Sequence, residues 1–198
     1  DRLFGSKYTY GYSRHSFPFS PPIGQKRFYN KNPKRGDIVV FKTPADNRTD
    51  YIKRLIGLPG DKIQFVDGNL YLNEKKIEQK KVDLPIMINC GDNEFEYNAF
   101  EETLPEGIKY IAVYSKFASY QNSDKYTVPK DHYFFLGDNR DCSKDSRYLS
   151  SVGYVKNVNI VGKARFIFFS SDKSKGNFLE FWKWKNSIRL ERFFEKIK

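Results

Sequence analysis

Tyr51-Ile52-Lys53-Arg54-Leu55-Ile56, closed by Gly57-Leu58-Pro59-Gly60, carries the reading of this chain. Six residues rich in aromatic and branched side chains, ended by a Gly/Pro turn, form a strand pattern. Upstream, Lys34-Arg35-Gly36-Asp37 turns into Ile38-Val39-Val40-Phe41, a buried-strand run stopped by Pro44. The polar stretch Ala45 to Asp50 reads as the connection of a hairpin between the two. Downstream, Lys62 to Val66 and Leu70 to Asn73 flank Asp67-Gly68-Asn69, a second hairpin signal. Tyr133 to Leu136 and Val161 to Phe169 read as further strands. No long segment of helical period precedes the C-terminal tail. The expected fold is mostly β, an antiparallel β-sheet core carrying an inserted smaller β subdomain. The core is expected in two pieces, 1–66 and 128–198, with 67–127 as the β-rich insertion. Ile77 to Thr127 has weak patterning and reads as an inserted, loop-rich β segment. Asp1 to Asn32, with Pro18, Pro21 and Pro22, is expected to be a loop crossing a surface.

Composition narrows the classes. Of 198 residues, 39% are hydrophobic and 17% aromatic, enough for a packed core and against general disorder. Lys and Arg exceed Asp and Glu by 35 − 24 = 11, which favours an anionic partner. That partner could be nucleic acid, an anionic membrane surface or an acidic protein. The basic residues are spread along the chain, which argues against nucleic acid, and of the other two an anionic membrane surface is the partner expected. The tail residues Phe178, Leu179, Phe181, Trp182 and Trp184, flanked by lysines, suit such a surface or a core cap. Two cysteines, Cys90 and Cys142, permit one bridge and do not decide whether it forms. No apolar run approaches the roughly 20 residues of a membrane span. The sequence opens on Asp1, not Met, which leaves an N-terminal anchor open. Gly57 to Lys62 lacks the Gly-Lys-Ser/Thr ending of a phosphate loop.

Two stretches carry chemistry. On an alternating strand, Tyr51, Lys53 and Leu55 share one face. An ammonium between an aromatic ring and a leucine is poorly solvated, so its pKa falls, and a neutral amine can take a proton from a hydroxyl. The alternative is a lysine that extends to solvent from a strand edge. The second stretch is Gly137-Asp138-Asn139-Arg140-Asp141-Cys142-Ser143-Lys144-Asp145-Ser146-Arg147, a dense polar run behind a buried strand. Asn139, Asp141, Ser143 and Asp145 alternate as in a calcium loop. However, Lys144 stands at the glycine position and Ser150 at that of the bidentate Glu. A turn bonded to its own backbone is a second reading. A buried polar network that orients a reactive group is the third, with Asp145 and Arg147 as a paired-charge support.

Arg35 to Phe41, Tyr51 to Asp61, and Gly137 to Arg140 continuing to Asp145-Ser146-Arg147 resemble, in order, three signature boxes of type I signal peptidases, the bacterial leader peptidase family of Ser/Lys proteases. Gly153 and Val161-Gly162-Lys163-Ala164 resemble the strand closing that family's core. The resemblance implies a membrane-associated serine endopeptidase that removes N-terminal signal peptides from exported preproteins. It places the protein at the bacterial inner membrane with the catalytic domain on the periplasmic side. It implies Lys53 as general base, Ser143 as the serine that orients it, and Asp145 and Arg147 as site support. Val40, Asp50, Tyr51 and Ile52 fall where the family lines its substrate pockets. No metal or organic cofactor is implied.

Three departures accompany the resemblance. The family's Ser-Met nucleophile box is expected upstream of Asp1, since none of Ser6, Ser13, Ser16 or Ser20 is followed by Met and Pro in the family manner. These 198 residues alone are therefore expected to be inactive. The alternative is a non-catalytic remnant that keeps the fold and at most binds leader peptides. Cys142 stands where the family usually has Asn, and no membrane anchor is present in the sequence.

Overall fold

The structure is a computed structural model that describes residues 2–17, 21, 27–90, 93–115, 121–169 and 193–197. The strands are β1 (Arg2–Ser6), β2 (Ile38–Lys42), β3 (Asp50–Gly57), β4 (Lys62–Val66), β5 (Asn69–Leu72) and β6 (Lys75–Lys76). They continue with β7 (Glu78–Cys90), β8 (Asn93–Thr103), β9 (Lys109–Ser115), β10 (Tyr126–Thr127), β11 (His132–Leu136), β12 (Val155–Lys156) and β13 (Ile160–Phe169). Three sheets form among the described residues, in the orders β1-β13-β2-β3-β11-β12, β10-β4-β5-β6 and β7-β8-β9. The fold is mostly β and its named pairings are antiparallel.

Local chemistry explains the frame. In the β4–β5 hairpin, Asp67 has φ 48° and Gly68 φ 74°. Both central residues of a tight hairpin turn of this hand need positive φ, which the Asp-Gly pair tolerates. Across β2 and β3 the register sets Val39 opposite Lys53, Val40 opposite Ile52 and Phe41 opposite Tyr51. Val39, Phe41 and Leu55 are fully buried, and Phe41 stacks on Phe135 of β11 at 4.6 Å. A second core gathers Ile56, Phe65, Leu72, Leu104, Tyr110 and Phe134 from all three sheets. The four-stranded sheet joins β4, before residue 67, to β5, β6 and β10 within 67–127.

Two expectations are corrected. Residues 2–6 are not loop: β1 pairs with β13, Leu3 opposite Ile167, and Phe4 stacks on Phe166 at 5.0 Å. Five residues are too few to show a period, and the proline-rich stretch after them dominates the reading. Ile77 to Thr127 is β as expected but, among its described residues, richer in strand than a loop-rich segment: β7 runs 13 residues and β8 11, and β9 completes an antiparallel sheet. Tyr97, Ala99 and Val113 cluster with Val82, while Tyr110, Ala112 and Tyr114 of β9 pack into the second core. No helix among the described residues is long and apolar enough to cross a membrane. The tail residues Phe178, Leu179, Phe181, Trp182 and Trp184 lie outside the described residues.

Candidate active site

β3 carries Lys53 between Tyr51 and Leu55, at the rim of the cluster formed by Phe41, Leu55 and Phe135. The amine lies 5.7 Å from the centre of the Tyr51 ring. Its Nζ donates a hydrogen bond of 2.8 Å to Ser143 Oγ. Burial pushes the Lys53 pKa down. The charge of Asp145 opposes the shift, that of Arg147 reinforces it, and that of Asp138 opposes it again, with a lowered value as the outcome.

The loop from Gly137 to Arg147 supplies the other wall. Ser143, Asp145, Ser146 and Arg147 are all buried. Asp145 is engaged away from Lys53. Its Oδ1 accepts from Arg147 Nε at 2.8 Å, and its Oδ2 accepts from Arg147 Nη2 at 2.9 Å and from the Gly137 amide at 3.0 Å. A bidentate guanidinium on a carboxylate is both directional and charge-assisted. Arg147 also donates to the Arg140 carbonyl. The chain is fastened at this end by Phe135, whose N–H donates to Ser146 Oγ and whose carbonyl accepts the Ser146 amide. Among the described residues, Lys53 thus has a hydroxyl partner and no carboxylate bonded to it. The oxygens of the alternating set are engaged: Asn139 Oδ1 accepts the Cys142 amide, Asp141 Oδ2 the Ser115 amide, and Ser143 Oγ the Lys53 amine.

The structure brings Lys53, Ser143, Asp145 and Arg147 together and divides the remaining site residues. Tyr51 shares the face of Lys53. Val40, Asp50 and Ile52 lie on the opposite face of the β2–β3 pair, with Asp50 bonded to Lys42 at 2.9 Å and Ile52 39% exposed. Pairing of β3 with β11 begins at Arg54. Among the described residues, Asp50 to Lys53 therefore has β2 on one side and no strand on the other.

Sequence reading missed three features. A Cβ on Gly137 would overlap Ser143 Cβ and Oγ and come within 3.5 Å of Lys53 Nζ, so glycine there makes room for the pair. Arg140, 2% exposed, is held by the fully buried Glu102 of β8 at 2.6 Å and by the hydroxyls of Tyr110 and Tyr114. Arg54 makes a two-point pair with Asp138, both bonds 2.8 Å, and lies 4.3 Å from the Tyr110 ring. The fourth finding settles an open question: Cys90 and Cys142 form a disulfide. The arginines and aspartates of the loop were visible in the sequence. Their partners in β8 and β9 belong to no motif, so only tertiary contact shows them.

A family model described as signal peptidase, peptidase S26, matches residues 1–169. Signal peptidase I of Rickettsia typhi is 42% identical over 214 residues, with 100% of this chain and 79% of that protein covered. Signal peptidase I of Rickettsia conorii is 42% identical and that of Rickettsia felis 41%, each covering 100% of this chain and 78% of the relative. Among solved structures, a signal peptidase I from Enterococcus faecalis V583 is 30% identical, with a TM-score of 0.39 and 67% of this chain and 97% of that chain covered.

Proposed function

Because this chain belongs to the signal peptidase family, peptidase S26, we propose that Lys53 is the general base of a serine endopeptidase that cleaves N-terminal signal peptides from exported preproteins. Membership of that family makes the chain a serine peptidase hydrolase. The observation that carries the finer reading is the amine of Lys53 held on Ser143 Oγ while Asp145 is turned to Arg147. A buried lysine without a bonded carboxylate loses its proton more readily than a free one. As a neutral amine it takes the proton of a serine hydroxyl, that oxygen attacks the scissile carbonyl, and an acyl-enzyme forms. The resulting ammonium gives the proton to the leaving amine. The same amine then activates the water that releases the acyl group.

The nucleophilic serine is read as lying N-terminal to Asp1. Ser6 Oγ bonds Thr9, Ser13 Oγ donates to the Ile160 carbonyl, and Ser16 Oγ accepts the Ser13 amide. Ser20 lies outside the described residues. Ser143 is the orienting hydroxyl, and Asp145 and Arg147 hold its loop. The open side of Asp50 to Lys53 suits an extended peptide added as a strand, which would carry a scissile bond past Lys53. Tyr51 then borders the peptide from the Lys53 side and Val40, Asp50 and Ile52 from the other. The disulfide supports an extracytoplasmic site at the bacterial membrane, since such bonds persist in oxidising compartments.

The test is cleavage of a purified preprotein by the full-length natural protein, its Lys53→Ala variant and residues 1–198 alone. The reading expects turnover by the first only. Turnover by residues 1–198 free of host peptidase would overturn the assignment of the nucleophile. Normal turnover by Lys53→Ala would overturn the base.

A further inference from the structure

The Cys90–Cys142 disulfide joins the tip of the β7–β8 hairpin to the residue next to Ser143. The loop it enters is fixed at both ends. At the start, the Val113 amide donates to the Asp138 carbonyl and the Arg140 amide to the Val113 carbonyl, so β9 extends its ladder into the loop. Arg140 is clamped by Glu102. At the far end, Asp145 is paired with Arg147 and Ser146 is bonded to Phe135. Between these anchors lie Asp141, Cys142, Ser143 and Lys144. Asp141 holds the Ser115 amide, and the covalent tether is on Cys142. Ser143, which carries the bond to Lys53, thus sits one residue from a cross-link spanning 52 residues of sequence.

We infer that the Cys90–Cys142 disulfide is a positioning element of the catalytic site, holding Ser143 Oγ on the Lys53 amine, so that the dithiol form of the enzyme turns over more slowly and requires a higher pH. The inference rests on the general-base reading of Lys53. The groups facing that amine are Tyr51 on its own strand, Ser143 beside it, and the charges of Asp138, Asp145 and Arg147 from the loop. With Ser143 fixed, the amine is held by a neutral hydroxyl. With the tether cut, Ser143 can move away and the amine can turn toward Asp145 or Asp138, whose charges favour its protonated form. Loss of orientation lowers turnover at every pH, and gain of a carboxylate neighbour moves the acid limb of the rate profile upward. Reduction by dithiothreitol breaks the S–S bond. Two electrons and two protons pass to the cysteines, and the reductant leaves as its cyclic disulfide.

The test compares the full-length oxidised enzyme, the same enzyme after dithiothreitol, and the Cys90→Ser and Cys142→Ser variants, each with a circular dichroism check of fold. The readouts are kcat and the pH profile of kcat/KM. All three altered forms should lose roughly ten- to hundredfold in kcat, the range of a small misplacement of catalytic groups. Their acid limb should move to higher pH, and reoxidation should restore the wild-type enzyme. Unchanged kcat and an unchanged limb in the reduced enzyme would overturn the inference. So would a loss of kcat with the limb in place, which would mark the bond as structural only. Failure of the base assignment is seen separately, as a Lys53→Ala enzyme that keeps its activity. If a serine variant fails to fold, the reduced wild-type enzyme decides.

Discussion

Lys53 Nζ and Ser143 Oγ stand 2.8 Å apart, and the carboxylate beside them, Asp145, bonds Arg147 instead of the amine. That division of partners separates a general base from an ordinary buried ion pair. In the full-length enzyme, Lys53→Ala should lower kcat/KM by roughly 10²–10⁴-fold, the range of a lost general base. Lys53→Arg should do no better, because a guanidinium keeps its proton. Ser143→Ala should cost less, since it removes orientation and leaves the amine. Lys53→Met should be as inactive as alanine yet melt no lower than wild type, because it removes a poorly solvated amine from an apolar rim. A Lys53→Met enzyme with a large drop in Tm would assign the lysine to structure.

Gly137 tests the room around the pair. An added methyl would overlap Ser143 and crowd Lys53 Nζ at 3.5 Å. The nearest atoms belong to a short side chain on a fastened loop, so the loop must shift as a whole. Gly137→Ala should reduce kcat by at least roughly tenfold with little change in KM, as read from steady-state kinetics. Turnover equal to wild type would show that the loop yields freely.

Arg140 and Glu102 join the inserted sheet to the catalytic loop through a pair with almost no solvent contact. Removing one partner leaves the other as a buried unpaired charge, which costs about 3–5 kcal/mol. Glu102→Gln should therefore destabilise by about that much in urea titration. The pH dependence has a definite sign. Burial works to raise the Glu102 pKa, but the charge of Arg140 and the hydrogen bonds from Arg140, Tyr110 and Tyr114 hold it below the ordinary 4.5. Its contribution is full above the unfolded value and is lost as pH falls through the lowered one. Wild type should lose stability in that acid window, and Glu102→Gln should lose less there.

Much of this was legible beforehand. The strand pattern of Tyr51 to Ile56 and its Gly-Leu-Pro-Gly stop indicated β3. The alternation of Tyr51, Lys53 and Leu55 put the lysine on the apolar face. The polar density of Gly137 to Arg147 marked the loop. What stayed hidden depends on contacts between distant segments. The buried residues of β8 and β9 include Tyr97, Ala99, Tyr110, Ala112 and Tyr114, small or polar-tipped side chains that leave only a weak period in the sequence. Glu102 and Tyr110 look like ordinary strand residues until Arg140 reaches them. Two cysteines 52 positions apart give no pairing rule, and only the fold brings their Cα atoms to 5.7 Å.

The net charge of +11 motivates a prediction about membranes. Phe4, exposed at 52%, and Phe194 at 72% both pack on Phe166, which leaves aromatic surface on β1 and β13. Basic charge with exposed aromatic rings suits an anionic bilayer. Residues 1–198 should co-sediment with phosphatidylglycerol vesicles at low salt and much less at high salt. Equal recovery with neutral phosphatidylcholine vesicles would contradict it.

The ionisation of Lys53 tests the central claim most directly. Lysine side chains labelled with 15N in residues 1–198 can be titrated by NMR, with Lys53→Arg assigning the resonance. The account predicts a Lys53 pKa clearly below the ordinary 10.5, moving back toward it when Arg147→Gln frees Asp145 to face the amine. A Lys53 that titrates at 10.5 or above in the wild-type fold would contradict the assignment, because an amine that keeps its proton through the working range has no capacity to accept one from serine.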